Sequence, residues 1–148
     1  MPRIERTAEI VWEGNVARGA GTITAGSGAF SGLAYSLATR IGQPEGKTSP
    51  EELLAAAHGG CLAMSLASEL VAGGTPPGRL EVTCLVVMDE IEGQGHQIVG
   101  SHVELTAAAD GLDGDGLQAA VVKADENCPF STMLRHAGVD VTVAARLA

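Results

Sequence analysis

The sequence predicts an α+β fold in which antiparallel sheets surround a long central helix that carries Cys61. An apolar stretch of helical composition runs from Thr48 to Gly74 between recognisable start and stop signals. The segments on either side of it alternate apolar and polar residues, as strands do. A chain of 148 residues with 45% hydrophobic content is long enough for one well-formed core. Residues 1–148 are therefore expected to form a single domain.

Three short strands and a loop are predicted before the central helix. Residues 8–14 and 21–25 form a candidate hairpin around a polar turn that contains glycine. A third strand is expected at Leu33 to Thr39, and it delivers Arg40 to a loop that ends near Lys47. Arg40 is thus expected to lie just before the central helix.

The central helix has recognisable signals at both ends. Ser49 is a favourable N-cap, Pro50 suits the first helical position, and Glu52 completes a capping box. Gly73-Gly74 then ends the helix. Because apolar residues cover nearly its whole circumference, we expect the helix to be buried on most sides.

Alternation dominates the chain after this helix. Leu80 to Ile91 is the clearest strand, and Gln97 to Ala108 is expected to return antiparallel to it after a turn that contains glycine. Pro129 separates two helical patterns, because proline favours the first turn of a helix. The remaining predicted elements are a helix at Leu117 to Glu126, a helix at Phe130 to Ala137 and a closing strand at Val139 to Leu147.

Charge and composition narrow the classes of function. The formal net charge is −9, which disfavours nucleic acid and anionic membrane surfaces as partners. The first ten residues lack the apolar core of a signal peptide. Charged residues are also expected to interrupt each apolar run before it reaches the length of a membrane span. The sequence therefore predicts a cytoplasmic protein that contacts neither nucleic acid nor membrane.

Three cysteines make thiol chemistry the first kind of function to consider. Cys61, Cys84 and Cys128 form neither an even disulfide framework nor a CxxC pair, so in a reducing compartment they are catalytic, redox-sensing or simply buried. Cys84 lies on the apolar face of its strand and is expected in the core. Cys128 precedes Pro129 at a helix start, where unpaired N–H groups can lower the pKa of a thiol. Local sequence alone therefore favours Cys128 as the more reactive cysteine.

Cys61 has a different local environment, because it lies about three turns into its helix and the dipole effect fades within the first turn. It therefore needs an external cation to become a thiolate. Arg40 is the natural candidate, although a loop arginine is more often solvated. The neighbouring Gly59-Gly60 pair costs about 1 kcal/mol per residue relative to alanine, which indicates close helix packing or a substrate beside the thiol.

Two motifs, TSPEELLAAAHGGC and NCPFS, make the chain resemble the OsmC/Ohr family of thiol-dependent peroxidases, and specifically its OsmC branch. The resemblance extends over essentially the whole chain and includes the WEGN, GAGT and YSLATR segments. It implies that Cys61 attacks the peroxide and that Cys128 is the resolving cysteine, which reverses the local expectation. It also implies that Arg40 holds the thiolate and polarises the peroxide, and that Glu51 pairs with this arginine.

The function implied by the resemblance is the reduction of organic hydroperoxides to alcohols. Cys61 would become a sulfenic acid and condense with Cys128 to a disulfide, which an external dithiol such as a lipoylated protein then reduces. No cofactor or metal is implied, and the family architecture implies an intertwined homodimer with active sites at the subunit interface. Apolar helix walls around Cys61 suit an alkyl hydroperoxide, since burying each methylene contributes about 0.8 kcal/mol.

Three alternatives remain open from the sequence. His58 and Cys61 lie three residues apart on one helix and could bind a metal together with Cys128. A redox-sensing or ligand-binding module could instead use the disulfide to switch a surface. A cysteine hydrolase could use Cys61 with His58, but no third group that would orient the histidine is evident.

Overall fold

A computed structural model describes all residues of the chain, 1–148, and contains six strands and four helices. In chain order they are β1 (Ala8–Glu13), β2 (Ala20–Ala25), β3 (Leu33–Tyr35), α1 (Leu37–Ile41), α2 (Pro50–Ala72), β4 (Arg79–Ile91), β5 (Gly95–Ala108), α3 (Gly114–Asn127), α4 (Pro129–His136) and β6 (Asp140–Leu147). They fall into two units, Met1–Pro50 and Glu51–Ala148, each with a three-stranded sheet. The expected α+β class with a long helix that carries Cys61 is confirmed, and the single domain stays a prediction.

The N-terminal unit is an antiparallel sheet in the order β1-β2-β3, which includes the predicted hairpin. Gly21 on β2 pairs with Trp12 on one side and with Tyr35 on the other. The two rings contact each other across it, with centroids 5.5 Å apart. A Cβ at position 21 would overlap both rings, so only glycine allows this aromatic pair to form.

The third strand is shorter than predicted, and Arg40 lies in a helix instead of a loop. β3 ends at Tyr35, and the Ser36 side chain caps α1 by accepting a hydrogen bond from the Thr39 N–H. The Ser36 and Thr39 hydroxyls also lie 2.9 Å apart. The strand prediction for Leu33 to Thr39 was wrong after Tyr35, because a serine that caps a helix competes with strand pairing.

α2 begins and ends close to the predicted positions, but only one of its faces is buried within the chain. Its buried residues are His58, Gly59, Leu62, Leu66 and Leu70, and the three leucines join the core with residues of β5, α3 and Cys128. On other faces Met64 is 77% exposed and Val71 is 60% exposed. The expectation of burial on most sides is therefore wrong for the single chain.

The second sheet has the order β4-β5-β6 and confirms the predicted hairpin of β4 and β5. β6 pairs with β5 in parallel, which differs from the antiparallel arrangement expected for the sheets. β6 is parallel to β5 because the connection between them contains α3 and α4, which carry the chain back across the sheet before β6 begins. Such a helical crossover allows neighbouring strands to run in the same direction.

α2 is also long and apolar enough, by length and composition alone, to cross a membrane. As expected, charged residues bound its uncharged run, at Glu52 and Glu69. Core helices pass the same test, and 28% of the most apolar window of α2 is buried inside the chain. Length and composition thus do not distinguish a core helix from a membrane span here.

Candidate active site

Cys61 and Cys128, which are far apart in sequence, lie together in the second unit. Cys61 is half-buried on α2, and Cys128 is fully buried at the N-cap of α4. Both are free thiols, and Cys61 packs against the core cluster that contains Cys128. Proximity of two thiols is the first requirement for closing a disulfide between them.

The placement of Cys128 follows from the sequence around it. Cys128 is the C-cap of α3 and also the N-cap of α4, so it is the one residue between the two helices. Pro129 begins α4, as predicted, because its missing N–H costs nothing at the first helical position. The Cys128 side chain makes no capping hydrogen bond, which leaves the thiol available to Cys61.

Opposing influences act on the protonation of Cys61. Burial raises the pKa of the Cys61 thiol, and the adjacent Cys128 thiol raises it further. The backbone N–H of Phe130 and the Ser65 side chain lower this pKa through hydrogen bonds to the sulfur. Phe130 belongs to the first turn of α4, so its N–H is one of the donors that a helix N-terminus leaves unpaired. The helix end that favours a thiolate at Cys61 is therefore that of α4, not that of α2.

Neither Phe130 nor Ser65 was expected as a partner of Cys61. Ser65 follows Cys61 by four residues on α2, which places the two side chains on the same helix face, so this signal was present in the sequence. The start of α4 was recognised from Pro129, but its N–H groups were associated with Cys128. The packing of α4 against α2 decides which of the two thiols these N–H groups approach. No local sequence pattern predicts that packing.

His58 is completely buried and is hydrogen-bonded at both ring nitrogens. Its Nδ1 lies 2.6 Å from Ser101 Oγ, and its Nε2 lies 2.8 Å from Ser131 Oγ. Burial lowers the pKa of His58 and so favours the neutral ring. Since hydroxyl groups occupy both nitrogens, His58 has no free position for a metal, and His58, Cys61 and Cys128 do not group as metal ligands. The metal-site alternative is therefore not favoured.

Cys84 lies next to this histidine and is packed against the core, as expected. Its Sγ is 3.8 Å from His58 Nδ1 and 3.5 Å from Ser101 Oγ. Nδ1 thus bonds Ser101 and approaches Cys84, and Nε2 bonds Ser131, which weakens the hydrolase alternative that pairs His58 with Cys61. The two neighbouring glycines differ in how closely they are packed. A Cβ at Gly59 would lie 3.2 Å from Cys84 Cβ, whereas a Cβ at Gly60 would have no neighbour within 4 Å.

Arg40 and Glu51, the other two predicted site residues, belong to different units of the structure. Arg40 is exposed in the last turn of α1 and lines a cavity of about 160 Å³ in the N-terminal unit, with Trp12, Val16 and Leu37 among its neighbours. Glu51 lies in the first turn of α2, where the helix dipole favours a carboxylate. The association of these residues with each other and with Cys61 stays a prediction.

Comparison with known proteins gives consistent matches. The profile of the family described as "OsmC-like protein" matches residues 42–144. The chain is 32% identical to "Peroxiredoxin OsmC" of Escherichia coli over 132 residues, which cover 89% of this chain and 91% of that protein. It is 34% identical to an "Organic hydroperoxide resistance protein" of Xanthomonas axonopodis pv. citri over 97 residues, which cover 65% of each chain.

The fold is similar to solved structures as well. The organic hydroperoxide resistance protein OhrB of Bacillus subtilis superposes with a TM-score of 0.73 at 25% identity, covering 95% of this chain and 98% of that one. The organic hydroperoxide resistance protein OsmC of Legionella pneumophila has the same TM-score at 24% identity, covering 97% of this chain and 98% of that one. The arrangement of strands and helices is therefore one that solved proteins share.

Proposed function

The chain belongs to the OsmC family, and from this we propose that it is a thiol-dependent peroxidase that reduces organic hydroperoxides to alcohols. The observation that carries the proposal is the proximity of Cys61 on α2 to Cys128 at the N-cap of α4, within the same core cluster. The names of its relatives, a peroxiredoxin and an organic hydroperoxide resistance protein, support a role in removing peroxides.

The first step is attack of the Cys61 thiolate on the distal oxygen of the hydroperoxide. The S–O bond forms and the O–O bond breaks, so that Cys61 becomes a sulfenic acid while the alkoxide takes up a proton and leaves as the alcohol. The thiolate is the reactive form. The Phe130 N–H favours it, whereas burial opposes it. A nearby cation is therefore proposed to stabilise the Cys61 thiolate as well.

Arg40 is the residue that we propose for this cation. Its guanidinium can stabilise both the thiolate and the negative charge that develops on the leaving oxygen. The cavity that it lines also contains apolar side chains, which suits an alkyl group better than water. Glu51 would orient the guanidinium through a bidentate ion pair, as the family resemblance implies.

The second step protects Cys61. The Cys128 thiol condenses with the sulfenic acid, so that the S–S bond forms and water leaves, before a second peroxide can produce a sulfinic acid. An external dithiol, such as a lipoylated protein, then reduces the disulfide and is itself oxidised to a disulfide. No cofactor takes part in this scheme, and a cytoplasmic location agrees with the need for a reducing compartment.

We further propose that the working form is an intertwined homodimer. Every residue of β1 is exposed, including Ile10 at 57% and Val11 at 58%, and α2 exposes Met64. A second copy that covers these residues would remove apolar surface from water at about 25 cal/mol per Å². Sedimentation of the wild type and of Met64→Glu tests this, with a dimer expected for the first and a monomer for the second. A monomeric wild type would contradict it.

The activity is tested with purified protein, tert-butyl hydroperoxide or hydrogen peroxide, and dihydrolipoamide as reductant. We expect repeated turnover with a preference for the organic peroxide, loss of turnover in Cys61→Ser, and near wild-type turnover in the matched control Cys84→Ser. Peroxide consumption that survives Cys61→Ser would contradict the proposal. Oxidation of Cys61 in one stoichiometric step, without turnover by any dithiol, would instead favour the redox-sensing module.

A further inference from the structure

His58 joins three elements of the second unit through hydrogen bonds that are fully buried. It lies on α2 one turn before Cys61, while Ser101 lies on β5 and Ser131 lies on α4. Nδ1 is 2.6 Å from Ser101 Oγ, and Nε2 is 2.8 Å from Ser131 Oγ. The exposed fraction of each of the three residues is 0%. Removing the partner of a polar group buried to this degree destabilises the folded protein. These bonds therefore restrain the elements that they join.

The hydrogen-bond network accommodates a proton on either ring nitrogen. Cys84 Sγ lies 3.5 Å from Ser101 Oγ, so the Ser101 hydroxyl can accept from the Cys84 thiol and donate to Nδ1, or accept from Nδ1–H and donate to the sulfur. In both arrangements the bond between α2 and α4 joins the imidazole Nε2 and the Ser131 hydroxyl.

This bond lies within one helical turn of the two cysteines. Ser131 is in the first turn of α4, together with Phe130, whose backbone N–H lowers the pKa of the Cys61 thiol, and Cys128 is the N-cap residue of the same helix. On α2, His58 and Cys61 are three residues apart and share a face. The first turn of α4 cannot shift along α2 without breaking the buried bond between His58 and Ser131.

We infer that His58 is a positioning residue for the resolving step, in that its bond to Ser131 holds Cys128 at the distance from Cys61 that disulfide formation needs. The inference rests on the proposed function. A Cys61 sulfenic acid has two fates. It condenses with the Cys128 thiol to a disulfide and water, or it reacts with a second hydroperoxide to a sulfinic acid and an alcohol. Only the first fate depends on where α4 holds Cys128.

A pair of serine variants tests this on the full-length protein. Ser131→Ala and Ser101→Ala each remove one hydroxyl group from the same imidazole, but only the first breaks the bond to α4. Each protein is treated with increasing tert-butyl hydroperoxide, and mass spectrometry measures disulfide and sulfinic acid at Cys61. We expect the peroxide concentration that gives half sulfinic acid to fall about tenfold in Ser131→Ala and less than about twofold in Ser101→Ala.

A second pair separates positioning from folding. The amide of glutamine at position 58 reaches the place of Nε2 and can still donate to Ser131, whereas the amide of asparagine reaches only the place of Nδ1 and keeps Ser101. His58→Gln is therefore expected to keep the wild-type ratio of disulfide to sulfinic acid, and His58→Asn is expected to behave as Ser131→Ala. If either histidine variant does not fold by circular dichroism, the serine pair decides alone.

The outcomes distinguish this inference from the proposed function. Equal ratios of disulfide to sulfinic acid in Ser131→Ala and Ser101→Ala would show that His58 only supports the fold. A wild-type protein in which peroxide produces neither product at Cys61 would overturn the proposed function itself. A wild type that forms the disulfide, with Ser131→Ala alone shifted toward sulfinic acid, supports both.

Discussion

The backbone N–H of Phe130, at the start of α4, lowers the pKa of the Cys61 thiol on α2. One helix thus stabilises the thiolate form of a cysteine on another. The same turn of α4 begins with Cys128, whose thiol acts in the opposite direction by raising the pKa of Cys61. α4 therefore supplies both the group that favours the reactive form of Cys61 and the group that later resolves it.

Replacing Cys128 should separate these two effects. Cys128→Ala removes a neighbour that raises the pKa of Cys61, while burial continues to raise it. We therefore expect the pH profile of the first oxidation of Cys61 to move to lower pH, because thiolate forms at lower pH. The measurement is single-turnover peroxide consumption across pH, with Cys84→Ser as the control. A profile that moves to higher pH would show that Cys128 stabilises the thiolate.

The same Cys128 variant should inactivate after one turnover. Without a resolving thiol, the sulfenic acid at Cys61 persists and is oxidised further to sulfinic acid. Intact-mass analysis of Cys128→Ala after peroxide treatment should show two added oxygens on Cys61. Sustained turnover in this variant would mean that another thiol resolves Cys61.

Arg40 should be needed for a reactive thiolate at neutral pH. Arg40→Met keeps much of the side chain but removes its charge, so we expect a higher pKa of Cys61 and a peroxide rate constant at least about tenfold lower, equivalent to about 1.4 kcal/mol. Arg18→Met, an exposed arginine of the same unit, is the control. Glu51→Gln should act in the same direction with a smaller effect, and Glu52→Gln should not. If alkylation of Cys61 has the same pH profile in Arg40→Met, the thiolate depends on another group.

The two glycines before Cys61 should differ in their tolerance of alanine. Either change gains about 1 kcal/mol of helix propensity. At Gly59 the new methyl group lies 3.2 Å from Cys84 Cβ on a strand that β5 holds in place, whereas at Gly60 it meets no atom within 4 Å. Gly60→Ala should therefore be more stable than Gly59→Ala by about 1 kcal/mol or more, as measured by urea unfolding. Equal stabilities would show that α2 and β4 can separate at little cost.

The buried histidine should make stability fall at acidic pH. Burial lowers the pKa of His58 below its value in the unfolded chain, 6.5, so the unfolded state binds a proton first. Nearby Asp125 opposes this shift and Arg135 reinforces it, and the two form an ion pair with each other. The free energy of unfolding should therefore fall as pH drops below 6.5, by up to about 1.4 kcal/mol per pH unit until the folded-state pKa is passed. His58→Gln should remove this component, and an unchanged pH slope in that variant would contradict it.

Some of these features could be predicted from the sequence because their causes are local. α2 spans Pro50–Ala72, close to the stretch predicted from Ser49, Pro50 and Gly73-Gly74, since caps act within one turn. The β4–β5 hairpin was predictable because the alternation has a period of two. The helix at Arg40 was missed because Ser36 reads equally well as the end of a strand.

Other features depend on packing between distant segments. The parallel pairing of β6 follows from how α3 and α4 return across the sheet, and the buried face of α2 is the one that packs against β5 and α3. The effect of Phe130 on the pKa of Cys61 and the burial of His58 between two serines arise in the same way. The residues in these contacts are far apart in the sequence, so no local sequence pattern predicts them.

The position of Cys128 as the one residue between α3 and α4 also has a consequence for the chain entropy of the proposed cycle. A disulfide to Cys61 would close a loop that contains β4, β5 and α3. In the chain-entropy account, closing so long a loop lowers the entropy of the unfolded chain and so raises its free energy by about 4 kcal/mol. The oxidised protein would then resist unfolding more than the reduced one. Each 1.4 kcal/mol by which the disulfide stabilises the folded protein lowers the reduction potential of the disulfide by about 30 mV. A more stable oxidised fold therefore requires a more strongly reducing dithiol to cleave the disulfide.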